Sequence, residues 1–220
     1  MIAVPPVLLP SKHAVSKVLH WYADKRIGAT EAEKRCYKAT DSVLLTFDDY
    51  GIAAQVSTIL GVLRDKNVRA MFFLQGDWAS ENPKLVGQIH EAGHVIGNHT
   101  YSHKVLLGLP EKAVRDEIAG SMPGPWLRPP EGRYDKTVRR IAADMGYSIC
   151  YWTIDSRDWT GASTTEMRHT ILSELHPGAA VLFHIHGAHT AELLPGLIDD
   201  IRARGLDLTG PSEPDWSPAR

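Results

Sequence analysis

Short apolar runs alternate along the chain with segments whose apolar positions recur every three or four residues. The runs "SVLLTF" (42–47), "VRAMFFLQG" (68–76), "HVIGNHT" (94–100), "PWLRPP" (125–130), "YSICYWTI" (147–154) and "AAVLFHI" (179–185) predict strands. Between them, residues 52–67, 82–93, 111–121, 135–146, 164–175 and 190–205 carry amphipathic helical spacing. Pro83 just inside the 82–93 helix and Gly93 at its end, with Gly146 closing another, are start and stop signals, and Thr164 reads as a cap. Val15, Val18, Leu19 and Tyr22 predict a further helix within residues 11–37, and the tail from Leu206 is Pro-rich and loose. Strand and helix in strict alternation imply parallel pairing through right-handed crossovers, in a barrel or an open doubly wound sheet. The apolar strands fit a sheet covered on its outer face.

Composition narrows the class. The chain has 220 residues, 43% hydrophobic and 23% charged, enough for one globular domain with a real core. A net charge of -2 with no basic block excludes an electrostatic nucleic-acid footprint. No apolar run reaches membrane-spanning length. The start "MIAVPPVLLPSK" lacks a basic n-region and is broken by prolines, so it makes a poor signal peptide. Location stays open: cytoplasmic as the sequence stands, exported if a leader has been trimmed. Two cysteines, Cys36 and Cys150, cannot build a disulfide framework and read as buried thiols, a single bridge between them being the alternative.

The informative polar residues fall at strand ends. Asp48 and Asp49 follow the first strand, His99 and His103 the third, Arg128 the fourth, Asp155 and Asp158 the fifth, and His184 and His186 the sixth. Carboxyl ends of parallel strands share one rim, where α/β proteins place their sites. In "HTYSH" the two histidines stand at i and i+4 and can grip one metal ion, although no Glu lies between them. The Asp pair supplies what is missing: one carboxylate completes a His/His/Asp set and its neighbour can act as base. The alternative is that the pair caps the helix starting near Ile52.

The segments "TFDD", "HTYSH", "RPPEG", "DSRDW" and "VLFH" stand in the order of the five motifs of the polysaccharide deacetylases, the NodB-homology or carbohydrate esterase family 4 domain. The chain resembles that family over roughly residues 40–205. The resemblance implies a single-domain distorted (β/α) barrel of about seven parallel strands. Residues 1–39 would then be an N-terminal helical extension packed on the barrel, and residues 206–220 a C-terminal tail. It implies a divalent metal, most often Zn2+ with Co2+, Mn2+ or Ni2+ as alternatives, held by Asp49, His99 and His103. Asp48 would be the general base and Arg128 its partner, and His184 would be the general acid, oriented by Asp158. Trp159 and Leu182 would line the acetyl pocket, and the backbone N–H of Glu131 would steady the oxyanion.

Four features depart from the family pattern. Tyr50 intervenes between the Asp pair and Gly51, and Glu131 replaces an aromatic residue, with Arg133 close enough in sequence to neutralise it; Tyr50 and Glu131 would join Trp159 and Leu182 in the substrate pocket. The stretch from Glu117 to Arg128 is short. "HIHGAHT" adds His186, which could share the rim with His184. The expected activity is metal-dependent removal of N-acetyl groups from an amino sugar or a glycan containing N-acetylglucosamine. Alternatives are an acetyl esterase, a hydrolase of a small cyclic amide resembling allantoinase, and a non-catalytic carbohydrate-binding protein. The expected partner is an acetylated saccharide or a small amide, with no nucleic acid and no membrane span; the oligomeric state is left open.

Overall fold

The computed structural model describes residues 42–208, together with residues 29, 30, 33 and 210. The helix expected within residues 11–37 and most of both terminal segments lie outside the described residues. Seven parallel strands form one sheet: β1 (Leu44–Asp49), β2 (Ala70–Leu74), β3 (Val95–Asn98), β4 (Trp126–Leu127), β5 (Ser148–Ile149), β6 (Ile154–Asp155) and β7 (Ala180–His184). Their order is β5-β4-β3-β2-β1-β7-β6. Among the described residues seven α-helices accompany them: α1 (Ala53–Asp65), α2 (Gly76–Glu81), α3 (Pro83–Glu91), α4 (Glu111–Ala119), α5 (Lys136–Asp144), α6 (Thr164–Glu174) and α7 (Thr190–Ala203). No described helix is long and apolar enough to cross a membrane.

Period-two alternation sorts the central strands into two faces. Leu45 and Phe47 of β1, Phe72 and Leu74 of β2, and Val181 and Phe183 of β7 join the helices in the larger core. Phe47 pairs in register with Phe72 and Phe183, and the rings stack with centroids 5.0 and 5.6 Å apart. The other face turns inward: Leu44, Met71, Phe73 and Ala180 form a small interior cluster with Cys150. A second helix-side core lies under α4 and α5, around Leu127, Ile118, Ile141 and Tyr134.

The expected single strand over residues 147–154 is instead two strands, β5 and β6, at opposite edges of the sheet. Five residue steps from Ile149 to Ile154 span at most about 17 Å. Seven flat strands would set their edges roughly 29 Å apart. The sheet therefore curls into a distorted barrel, and residues 150–153 cross its seam. Arg128 closes that seam from within: Nε donates to the Cys150 carbonyl at 3.1 Å and Nη2 to the Tyr151 carbonyl at 2.7 Å. Backbone carbonyls that no strand can pair are thus satisfied by one side chain. Apolar periodicity cannot distinguish this crossing from a continuous strand.

Two smaller expectations are corrected. The cap of α6 is Ser163, whose hydroxyl accepts from the Glu166 N–H while Glu166 reaches back to the Ser163 N–H, so Thr164 is the first helical residue. Cys150 is disulfide-bonded rather than a free thiol, and the chain's only other cysteine, Cys36, lies outside the described residues.

Candidate metal centre and active site

Alternation aims Asp48 inward, with Thr46 one pleat below it. Its carboxylate is buried, and Oδ1 accepts from Arg128 Nη1 at 2.7 Å. The same guanidinium nitrogen donates to Thr46 Oγ1 at 2.8 Å, and the Phe73 ring lies 4.1 Å from the Arg128 Cζ. Arg128 is wholly buried, which disfavours its charge, while Asp48 beside it favours the charge.

The same alternation would send Asp49 to the helix side. Instead its φ is +75°, a left-handed conformation that short polar residues tolerate best, and the carboxylate turns back over the rim. Among the described residues, five of the six non-glycine residues with positive φ stand at or beyond strand carboxyl ends: Asp49, Thr100, His103, Glu131 and Arg157. Backbone strain of this kind, about 1–3 kcal/mol per residue, concentrates at functional sites.

Asp49 Oδ1 lies 3.3 Å from His99 Nε2 and 3.2 Å from His103 Nε2. His99 Nδ1–H donates to the Arg128 carbonyl at 2.7 Å, which leaves Nε2 as the nitrogen that faces Asp49. A carboxylate and two imidazoles thus converge, with one ligand atom of each within 4.8 Å of the others. Acceptors that face one another repel unless a proton or a cation lies among them, so the donor set fits a divalent ion. Burial opposes ionisation of Asp49, yet the hydrogen bond and charge of His99, with His103 and His184, hold its carboxyl well below the usual range. Burial also opposes charge on His99, but Asp48 and Asp49 push its pKa up; burial and neighbouring His99 push that of His103 down.

Opposite stands His184, the last residue of β7. Its Nδ1–H donates to Asp158 Oδ1 at 2.7 Å, and its backbone N–H to Asp158 Oδ2 at 2.7 Å. Thr190 Oγ1 donates to the same Oδ2 at 2.7 Å. Gly187 makes this closeness feasible, since a Cβ there would meet Thr190 Oγ1 at 2.2 Å and Asp158 Oδ2 at 2.5 Å. Burial disfavours the imidazolium, but Asp158 outweighs it and raises the His184 pKa to about 9. Nε2 of His184 faces Asp49 Oδ2 at 4.0 Å.

The structure brings Asp48, Asp49, His99, His103, Arg128, Asp158 and His184 together. His186 joins them, with Nδ1 3.8 Å from Asp49 Oδ2, and its ring stacks on Tyr50. Glu131 lies in a single 3-10 turn at φ +55°, and its carboxylate pairs with Arg133 at 3.2 Å. Trp159 is exposed on the rim, its indole N–H 3.4 Å from both Asp155 oxygens. Leu182 is buried in β7, in register with Thr46 and Asp155. Sequence reasoning passed over Gln75, Thr46 and Thr190. Gln75 follows β2 and its side-chain amide donates to Asp49 Oδ1 at 3.2 Å. The strand-end rule that singled out the others points to it equally.

A family model described as polysaccharide deacetylase matches residues 37–150. The peptidoglycan-N-acetylglucosamine deacetylase of Bacillus cereus is 34% identical over 177 residues, which are 74% of this chain and 64% of that protein. The chain spans 64%, 50% and 67% of the lengths of the first three curated relatives. Among solved structures, the family 4 carbohydrate esterase of Streptomyces lividans in complex with acetate has a TM-score of 0.72 and 31% identity, covering 81% of this chain and 96% of that one. BA3943 of Bacillus anthracis, a pseudoenzyme of the CE4 family, has a TM-score of 0.73 and 28% identity, covering 78% of this chain and 64% of that one. Likeness of fold therefore does not by itself carry turnover, and the side chains at the rim must. With its fold, its motif order and its Asp–His–His donor set, the chain belongs to the polysaccharide deacetylase family, carbohydrate esterase family 4.

Proposed function

We propose that the chain hydrolyses the N-acetyl amide of an amino sugar in a glycan, releasing acetate and a free amine. One observation carries this reading. A carboxylate and an imidazole, each held by its own buried partner, approach the donor set: Asp48 Oδ2 lies 3.8 Å from His99 Nε2, and His184 Nε2 lies 4.0 Å from Asp49 Oδ2. Amide hydrolysis needs one group to take a proton and another to give one.

Asp49, His99 and His103 would hold a divalent cation, with Zn2+ favoured over Co2+, Mn2+ and Ni2+ by the mixed nitrogen and oxygen donors. When bound, such an ion acidifies a water molecule and draws electron density from the substrate carbonyl. Asp48 takes the proton of the attacking water, and the Arg128 guanidinium keeps its carboxylate oriented. Water adds its oxygen to the carbonyl carbon, and the C–N bond breaks. His184 gives the Nε2 proton to the departing nitrogen, while Asp158 fixes Nδ1–H so that Nε2 faces the site. The backbone N–H of Glu131 steadies the oxyanion, and Trp159 and Leu182 accommodate the acetyl methyl. The name of the Bacillus cereus relative supports an N-acetylated glycan over an acetyl ester or a cyclic amide.

Acetate release decides it, measured on peptidoglycan fragments, chitooligosaccharides and acetylated xylan with divalent metal present, with ring opening of a cyclic amide assayed beside it. Acetate should come with free amine from glycans containing N-acetylglucosamine, and His99→Ala should lose both metal and turnover. Acetate from xylan alone, or ring opening of the cyclic amide with no acetate from any glycan, overturns the reading, as does no turnover of any of them; metal retained in both His99→Ala and His103→Ala overturns the ligand set.

A further inference from the structure

Tyr50 and His186 lie 136 positions apart in the sequence, and both depart from the family pattern. In the fold they are one unit. Tyr50 leaves β1 directly after Asp49, His186 leaves β7 two residues after His184, and their rings stack with centroids 5.1 Å apart and planes within 9°.

The loop has little freedom to do otherwise. Gly51 packs on β7 so closely that a Cβ would meet Ile185 Cγ2 at 2.4 Å. The Ile52 N–H donates to Gln55 Oε1 at 3.1 Å, and Gln55 Nε2 donates to the His186 carbonyl at 3.4 Å. Inserting Tyr50 thus keeps glycine at the contact it must occupy and lifts an aromatic ring onto the rim.

That ring is 46% exposed. Among the described residues the exposed large hydrophobics are Tyr50, Ile52, Tyr101 and Trp159, and all follow the carboxyl ends of β1, β3 or β6. Exposed apolar side chains gathered around a site mark where a ligand lies. The pair also flanks the acid, because the rings of His184 and His186 meet edge-on at 5.5 Å. His186 Nδ1 is buried and makes no hydrogen bond among the described residues. It is not one of the Asp49, His99 and His103 donors, so its ring serves as backing rather than as a ligand.

We infer that Tyr50, backed by His186, is a stacking platform for a pyranose ring of the glycan beside the departing amine. This rests on the N-deacetylase reading. The C–H face of a pyranose is flat and weakly positive and the face of a phenol ring is negative, so the two attract. A ring already ordered by its stacking partner loses little entropy when a sugar settles on it.

The test is calorimetric titration of metal-loaded protein with the hexasaccharide of N-acetylglucosamine, in an Asp48→Asn background so that the sugar is not consumed. Tyr50→Ala and Tyr50→Leu should each weaken binding about tenfold, because neither offers a flat ring. Tyr50→Phe should stay within about twofold, because the ring and not the hydroxyl makes the contact. His186→Ala should weaken binding and keep the metal. Equal affinity in Tyr50→Ala, no measurable binding of the hexasaccharide, or loss of metal from His186→Ala overturns the platform. Acetate release by the unaltered protein is scored separately. Release with ring-independent binding sinks the platform alone, and ring-dependent binding without release sinks the hydrolase reading alone.

Discussion

Two histidines at opposite ends of the barrel show how the fold separates packing from chemistry. His94 stands just before β3, at the amino ends of the strands, and is buried. Its Nδ1 accepts the Ala70 N–H at 3.2 Å, so that nitrogen carries no proton, and the Phe72 ring lies 5.3 Å away. Burial, with the Arg69 charge, pushes its pKa down to about 4. His184 stands at the carboxyl ends, and there Asp158 overcomes burial and lifts the pKa to about 9. Burial alone would neutralise both. The Asp158 carboxylate decides which histidine can carry a proton at neutral pH, and the Arg69 charge only adds to what burial does at His94.

The contrast can be broken most forcefully at Arg128, a charge buried as deeply as His94 yet kept because Asp48 faces it. Arg128→Met should destabilise the fold by about 3–5 kcal/mol in urea unfolding, since it leaves Asp48 unpaired and the seam carbonyls of Cys150 and Tyr151 without their donor. A change within about 1 kcal/mol would show that neither carbonyl nor carboxylate depends on the guanidinium. Next, Asp158→Asn should make His184 resemble His94. Without the carboxylate the imidazole no longer holds its proton, and acetate release should fall by about 10²- to 10⁴-fold in initial-rate assays. The smallest effect belongs to His94 itself. Its folded pKa lies below the unfolded value of 6.5, so the unfolded chain binds the extra proton between about pH 6.5 and 4. The stability from the neutral ring is present above that window and lost as pH falls through it. His94→Gln should therefore lose less stability than the unaltered protein between pH 7 and pH 4.5, by on the order of 2 kcal/mol. Parallel losses would mean that His94 titrates alike in both states.

The strand-end rule reached most of the rim before any coordinates did. It placed Asp48, Asp49, His99, His103, Arg128 and His184 on one face because period-two strands and parallel crossovers leave few other places for them. The rule failed where local pattern is silent. Residues 147–154 are mostly apolar, broken only by Ser148 and Thr153, and nothing in them signals that the chain leaves one edge of the sheet and joins the other. The Cys150 bridge stood in the sequence only as the alternative to a buried thiol, since the pairing of distant cysteines is a tertiary fact.

What the sequence determined by itself was the alternation of strand and helix, the apolar face of each and the order of the polar residues at the strand ends. These depend on spacing along the chain, which local periodicity encodes. The tertiary structure alone decided the curl of the sheet across residues 150–153 and the left-handed turn that swings Asp49 back over the rim. It also decided the reach of Arg128 from the seam to Asp48 and the meeting of Tyr50 with His186. Each of these joins residues far apart in sequence, or sets a backbone angle that only the surrounding contacts can hold.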